Sequence, residues 1–229
     1  MVRPDRRAML IEAAAELFTE RAFDEVTTTE IAKRAGVAYG LIAHHFGNKR
    51  GLYLATLRAA ADRLRAVHEV VPRGDTPGAQ LRDALDRHIA FMEANAAGFL
   101  AVTRGGNGSD PEVRGIVEDL RWQGARRLLD ALGAAAPVRP VLRTTMRGWV
   151  GYLDEIVIDH LRHRDVPRER LVSLAAATLA AALRAAAAED PETGLGSAVL
   201  DLLDGEDGAQ PAGADPHGRF GARGTRAPA

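Results

Sequence analysis

Across roughly the first 203 residues, apolar side chains return every three or four positions, as at Leu10, Ala14, Leu17 and Phe18. The alternation that a half-buried strand would need is absent, so the period of the pattern is helical. Ala, Leu, Arg and Glu, all good helix formers, dominate the same stretch. Pro72, Pro77, Pro111, Pro137, Pro140 and Pro167 fall at the joints between periodic segments, where proline serves as a first-turn residue or a stop. Helices are expected at about 4–21, 28–35, 39–46, 48–71, 77–96, 97–104, 110–133, 138–163 and 168–188, with a weaker one near 195–203. The fold class that follows is all-α.

With 229 residues, 46% of them hydrophobic, the chain can bury a real core. No run approaches the roughly 18 uninterrupted apolar residues of a membrane span. The N-terminal VRPDRRAMLIEAAAELF carries charge where a signal peptide needs an apolar block, so the cytoplasm is the expected location. The absence of cysteine excludes disulfides, iron–sulfur clusters, thiolate zinc sites and cysteine nucleophiles. After Leu203 the helical stripe stops. Residues 204–229 hold six Gly, three Pro and six Ala among 26, and are expected to form a disordered tail in which Arg219, Arg223 and Arg226 are more simply solvated than bound to a partner.

The net charge of −1 argues against a protein that coats nucleic acid, but the charge is unevenly spread. Residues 1–50 hold eight Lys/Arg against seven Asp/Glu, and between Thr27 and Tyr53 four basic residues face Glu30 alone. That basic stretch contains TTTEIAKRAGVAYGLIAHHFGNK, residues 27–49. Thr27 and Glu30 have the spacing of a capping box, which starts a helix at Thr28. Ile31, Ala32 and Ala35 give that helix a buried side, and Gly36 can take the left-handed conformation that ends it. A second short helix follows from about Tyr39 to Phe46, with Leu41, Ile42 and Phe46 available for packing. Helix, glycine-containing turn, helix is the geometry of a DNA-binding helix-turn-helix, although it is also that of an ordinary helical corner. The chemistry expected on its surface favours DNA: Thr28, Thr29, Lys33, Tyr39, His44 and Lys49 are donors suited to phosphate oxygens, and Lys49 lies in the first turn of the next helix.

The frame of Thr27, Ile31-Ala32, Ala35-Gly36-Val37, His45-Phe46, Asn48-Lys49 and Leu52 resembles the DNA-binding domain of the TetR (tetracycline repressor-like) family of bacterial transcription regulators. The likeness is close over about residues 5–55. Beyond that, the chain is similar only in being helical and of suitable length. The resemblance implies a helix-turn-helix domain at 1–50 and a ligand-binding and dimerisation domain at 51–203. It also implies that Tyr39, Gly40 and Leu41 face base edges, that His44 faces the DNA backbone and that His45 packs beneath the domain. Two positions depart from the family pattern: Ala38 stands where Ser or Thr usually caps the reading helix, and Ala43 where a Tyr is usual. Loss of the cap costs about 1 kcal/mol of helix stability.

Adjacent His44 and His45 point about 100° apart on a helix and are poorly placed to share a metal ion. His160 and His163 are better spaced, but a packing role for His160 is the simpler expectation. No metal or cofactor is expected.

Members of the family are homodimers joined through their last two long helices, here 138–163 and 168–188. Gly148 and Gly151 extend the first helix's apolar stripe, and the alanines of Ala175–Ala188 make the second small on nearly every side, which permits close approach of a second copy. Family likeness further implies a small-molecule effector in a cavity among helices 77–163. The residues there that combine apolar bulk with a polar tip, or supply a polar partner, are His88, Phe91, Met92, Asn95, Phe99, Arg104, Trp122, Trp149, Tyr152 and Asp154, although each could be plain core. A DNA-binding dimer without an effector, or one answering to a protein partner, is the alternative. An enzyme is the weakest reading, since no H-E-x-x-H, phosphate-loop or dinucleotide fingerprint occurs.

Overall fold

The computed structural model describes residues 5–104 and 110–196. Among these it contains nine α-helices and no strand: α1 (Arg6–Glu20), α2 (Thr28–Ala35), α3 (Gly40–Phe46), α4 (Lys49–Glu69), α5 (Pro77–Ala94), α6 (Ala96–Arg104), α7 (Pro111–Ala131), α8 (Pro140–His163) and α9 (Arg168–Glu189). The tail, most of the weak helix expected near 195–203, and the glycine-rich loop 105–109 lie outside the described residues, as do the side chains of 102–104.

Local chemistry sets the helix ends. Asp5, Asn48, Thr76 and Asp110 each accept a backbone N–H from the first turn of the helix they precede, and Pro77, Pro111 and Pro140 fill first-turn positions. At the end of α2, Gly36 has φ +64°, its N–H donates to Lys33 O, and the Val37 N–H reaches back to Ala32 O. These two bonds close the helix and turn the chain toward α3.

The buried residues form two clusters. The first joins Leu10, Leu17 and Phe18 of α1, Ile31 of α2, Ile42 of α3 and Leu52–Leu54 of α4. It also takes in Val113 from α7, with Ile116 packed against it. The second runs through α4, α5, α7, α8 and α9, centred on Ile89, Leu129, Leu142, Met146, Leu179 and Leu183. Helices α4 and α7 therefore contribute to both cores and pack along each other, while α6 lies back on α1.

Polar pairs fix the helices of the larger cluster. The Trp149 indole N–H donates to Ala175 O at 3.2 Å and to Thr178 Oγ1 at 3.3 Å, tying α8 to α9. Glu93 of α5 receives His160 Nε2 at 2.7 Å, Arg164 at 3.1 Å and Arg168 at 2.8 Å. Burial would raise the Glu93 carboxyl, but donation from His160 and Arg168 outweighs it and holds the group below its ordinary range. Helix α9 is long and apolar enough to cross a membrane by length and composition, with mean hydropathy 1.7. Its Leu171, Ala175, Leu179 and Leu183 are buried against neighbouring helices, while Leu174, Ala177, Ala181 and Ala185 form an exposed stripe on another face.

Candidate nucleic-acid interface

The capping box is complete. Glu30 N–H donates to Thr27 Oγ1 at 3.2 Å, and the Thr27 N–H and hydroxyl donate to Glu30 Oε2 at 2.8 and 2.7 Å. Those donors from Thr27, helped by Arg21, hold the Glu30 carboxyl near 2. The box fixes the start of α2, and the Thr28 hydroxyl there lies 3.4 Å from Tyr39 Oη at the start of α3. The N-terminal ends of both helices thus meet on one surface. Tyr39 is 60% exposed, an unusual position for an aromatic ring with no partner to cover it. Thr29, Lys33, Gly40 and His44 are also exposed, and a Cβ added at Gly40 would meet nothing within 4 Å, leaving the backbone approachable. No side chain caps α3: Tyr39 stands at its N-cap, and Ala38 before it has no hydroxyl to offer.

Three residues differ from expectation. Leu41 is half-buried and packs against the first core, so only part of it faces outward. His45, expected beneath the domain, is exposed, its ring 4.8 Å from that of His44 and 6.0 Å from that of Phe46. Ile42 and Phe46 supply the packing instead, because they occupy the inward positions of this two-turn helix. Lys49 is not an open phosphate donor. Its Nζ donates to Phe23 O at 2.8 Å and Val26 O at 2.9 Å and lies 4.3 Å from the centre of the Phe23 ring. The ammonium braces the connection between α1 and α2.

Arg50, the next residue, is likewise engaged. Its guanidinium makes a two-pronged contact with Asp110 at 2.8 and 2.9 Å and reaches Glu112 at 3.0 Å. Asp110 also caps α7, and the Arg50 hydrogen bonds, then the cap itself, bring its carboxyl down to about 2. A fixed link therefore runs from the first turn of α4 to the first turn of α7. No local signal marks it, since the partners are 60 residues apart.

The residues nominated for an effector do not gather at one cavity. Phe91, Phe99 and Tyr152 are partly buried and pack, with buried Met92 and Trp149, in the larger core, and Asn95 donates to Phe91 O at the end of α5. His88 is joined to His68 of α4, Nδ1 to Nε2 at 3.0 Å. Burial pulls both imidazoles down, His88 to about 3 and His68 to about 4, with Arg127 and Arg87 adding to the effect on His68. The Arg104 side chain is outside the described residues. Trp122 lines a cleft of about 70 Å³ between α7 and α8, floored also by Ala125, Met146 and Val150 and edged by Glu118, Arg121 and Arg147. Asp154 lies beside it, one turn beyond Gly151 on α8, paired with Arg121. That volume is below the roughly 300–1,000 Å³ of a typical small-molecule pocket.

The model for bacterial regulatory proteins of the tetR family matches residues 10–56, the segment that carries this surface. The model for the tetracyclin repressor-like C-terminal domain matches 77–182. A tetR-family transcriptional regulator from Streptomyces coelicolor has a solved structure that is 30% identical, with TM-score 0.73 over 89% of this chain and 90% of that one. This chain belongs to the TetR family. Its relatives are transcriptional regulators, not enzymes. Among curated TetR-family relatives, the HTH-type transcriptional activator FasR of Mycolicibacterium smegmatis is 32% identical over 51% of this chain. The HTH-type transcriptional regulator BetI of Stenotrophomonas maltophilia is 40% identical over 41% of it. This chain spans about half the length of these two relatives, 53% and 49%.

Proposed function

We propose that this TetR-family protein is a ligand-responsive repressor that binds a palindromic operator as a homodimer. The observation that carries the reading is the joint surface of α2 and α3, where Thr28, Thr29, Tyr39 and Gly40 stand at two helix N-termini and Lys33 and His44 are exposed in the last turns of the same helices. In this reading α3 enters the major groove, Tyr39 and Gly40 approach base edges with the outer part of Leu41, and the hydroxyls, Lys33 and His44 hold phosphates. Lys49 positions the head from behind. Two heads on a two-fold axis read half-sites about 34–36 Å apart, and occupancy of the operator excludes the transcription machinery.

Selection of random duplex DNA by the purified protein at two salt concentrations tests this. A palindrome should be enriched at both, and Tyr39→Ala should change which bases are preferred within it while leaving the salt slope unaltered. Binding with no enriched sequence would reduce the domain to a non-specific DNA binder.

The dimer is proposed to form through α8 and α9. Its support is the exposed stripe of Leu174, Ala177, Ala181 and Ala185 together with Gly148, where an added Cβ atom would stand in open space. A helix with two apolar faces needs a second surface to bury. Leu174→Arg should convert the dimer to a monomer in sedimentation equilibrium; an unchanged dimer would place the interface elsewhere. Effector control would act through α7, which lines the cleft with Trp122 and Ala125 and plants Val113 in the core of the reading head. A ligand shifts operator affinity only by binding one spacing of the heads more tightly than the other.

A further inference from the structure

We infer that the cleft between α7 and α8 binds a compact organic cation, an amine with an apolar body, whose N–H groups replace Arg121 on Asp154. The inference rests on the ligand-responsive reading above and names the class of ligand.

Depth decides the sign of charge. The Asp154 side chain is 12% exposed, whereas Arg121 is 41% and Arg147 58% exposed. The acid is therefore the deep group and the cations stand at the rim. Arg121 Nη2 is 2.7 Å from Asp154 Oδ2 and is the cation that offsets this buried carboxylate, while burial still pushes the group above its ordinary range. A buried carboxylate held by one partly exposed arginine can exchange that arginine for another N–H donor. Arg121 also leans toward Glu118 at 3.4 Å, so Glu118, which is paired with Arg147 as well, offers Arg121 a place when it leaves Asp154.

The floor supplies the rest. Trp122, Met146 and Val150 offer an aromatic ring, a thioether and a branched aliphatic side chain to an apolar body, and an indole face favours a cation. An anion of the same shape would have to settle beside the buried Asp154 carboxylate, which opposes it. Arg121 stands both at the cleft and on Asp154, so its withdrawal opens Asp154 to the cleft. The unliganded protein thus holds the site shut with a cation of its own.

The test uses the full-length protein with benzylamine and benzoate, which share a ring and differ in charge. Benzylamine should raise the melting temperature and give a calorimetric isotherm, and benzoate should do neither. Asp154→Asn should abolish the benzylamine response. Arg121→Ala removes the internal competitor and should tighten benzylamine about tenfold, or about 1.4 kcal/mol. An arginine that merely lined the site would give weaker binding on removal. Benzoate binding that disappears in Arg121→Ala would overturn the proposal in favour of an anion site. Absence of benzylamine binding to both wild type and Arg121→Ala would overturn it outright. Operator affinity, measured separately, distinguishes the two readings. Benzylamine binding without any change in operator affinity would refute effector control through this cleft and keep the site. Operator release by other compounds, with no benzylamine binding, would keep effector control and remove the site.

Discussion

Replacing Lys49 by Met is expected to loosen the reading head and to leave the salt dependence of whatever DNA binding survives unchanged. The Lys49 ammonium serves Phe23 O and Val26 O together and sits on the Phe23 ring. Removing it leaves two carbonyls of a tight connection without their donor and removes a cation–π contact, a combined loss of about 3 kcal/mol. Phe23 stacks on Phe18 at 5.6 Å and meets Tyr53 edge-on at 5.1 Å, so a slackened connection would disturb the core beneath α2. The lysine next to a helix N-terminus would, if it held a phosphate, show a different signature: an unchanged melting temperature and a log–log salt slope shallower by about 0.9. Thermal unfolding together with operator titrations at several salt concentrations separates the two. A variant with wild-type melting temperature and a shallower slope would return Lys49 to the DNA surface.

Acid should unfold the protein through His68 and His88 before its carboxylates give way. Both imidazoles are held neutral, at about 4 and about 3 against an ordinary 6.5, chiefly by burial. The folded state therefore binds fewer protons than the unfolded chain below pH 6.5. Their contribution is complete above that value and is lost as pH falls toward 4 and then 3, on the order of 3 kcal/mol per histidine by pH 4. The surroundings offer no relief. Arg87 of α5 and Arg127 of α7 face the pair; Asp83 is paired with Arg87 and Glu69 with Arg127, while α7 passes at Gly124, where an added Cβ would lie 3.6 Å from the His68 ring. Glu30 and Asp110, held near 2, lose their contribution in a separate window below about pH 4.5 and 3.8 respectively. Chemical denaturation from pH 7 to 4 should show a steep loss of stability that His68→Gln with His88→Gln flattens. An unchanged profile in the double variant would assign the acid sensitivity to other groups.

What could be read from the chain depended on how far apart the cooperating residues lie. The start of α2 was legible because Thr27 and Glu30 are three residues apart, and its end because Gly36 alone suits the left-handed turn. Proline placement marked the starts of α5, α7 and α8. The role of Lys49 was not legible, because its acceptors are 23 and 26 residues upstream and backbone carbonyls leave no trace in composition. Sequence selected His88, Trp149 and Asp154 for an effector by their mixed polar and apolar character. It could not register that His68, Thr178 and Arg121 already engage them. Arg121 itself drew no notice, since an arginine on an amphipathic helix looks solvated until the helix opposite is in place.

The seating of Val113 in the first core has a bearing on how this head could be transplanted. The segment that matches the family's DNA-binding model closes at residue 56, but the apolar floor beneath it is finished by a residue 57 positions further along. The head is discontinuous in the chain. A chimera that grafts only the first 56 residues onto another regulator's body inherits the reading surface with a gap in its foundation and without the Asp110 carboxylate that anchors Arg50. Specificity in this protein is portable only together with the opening turns of α7.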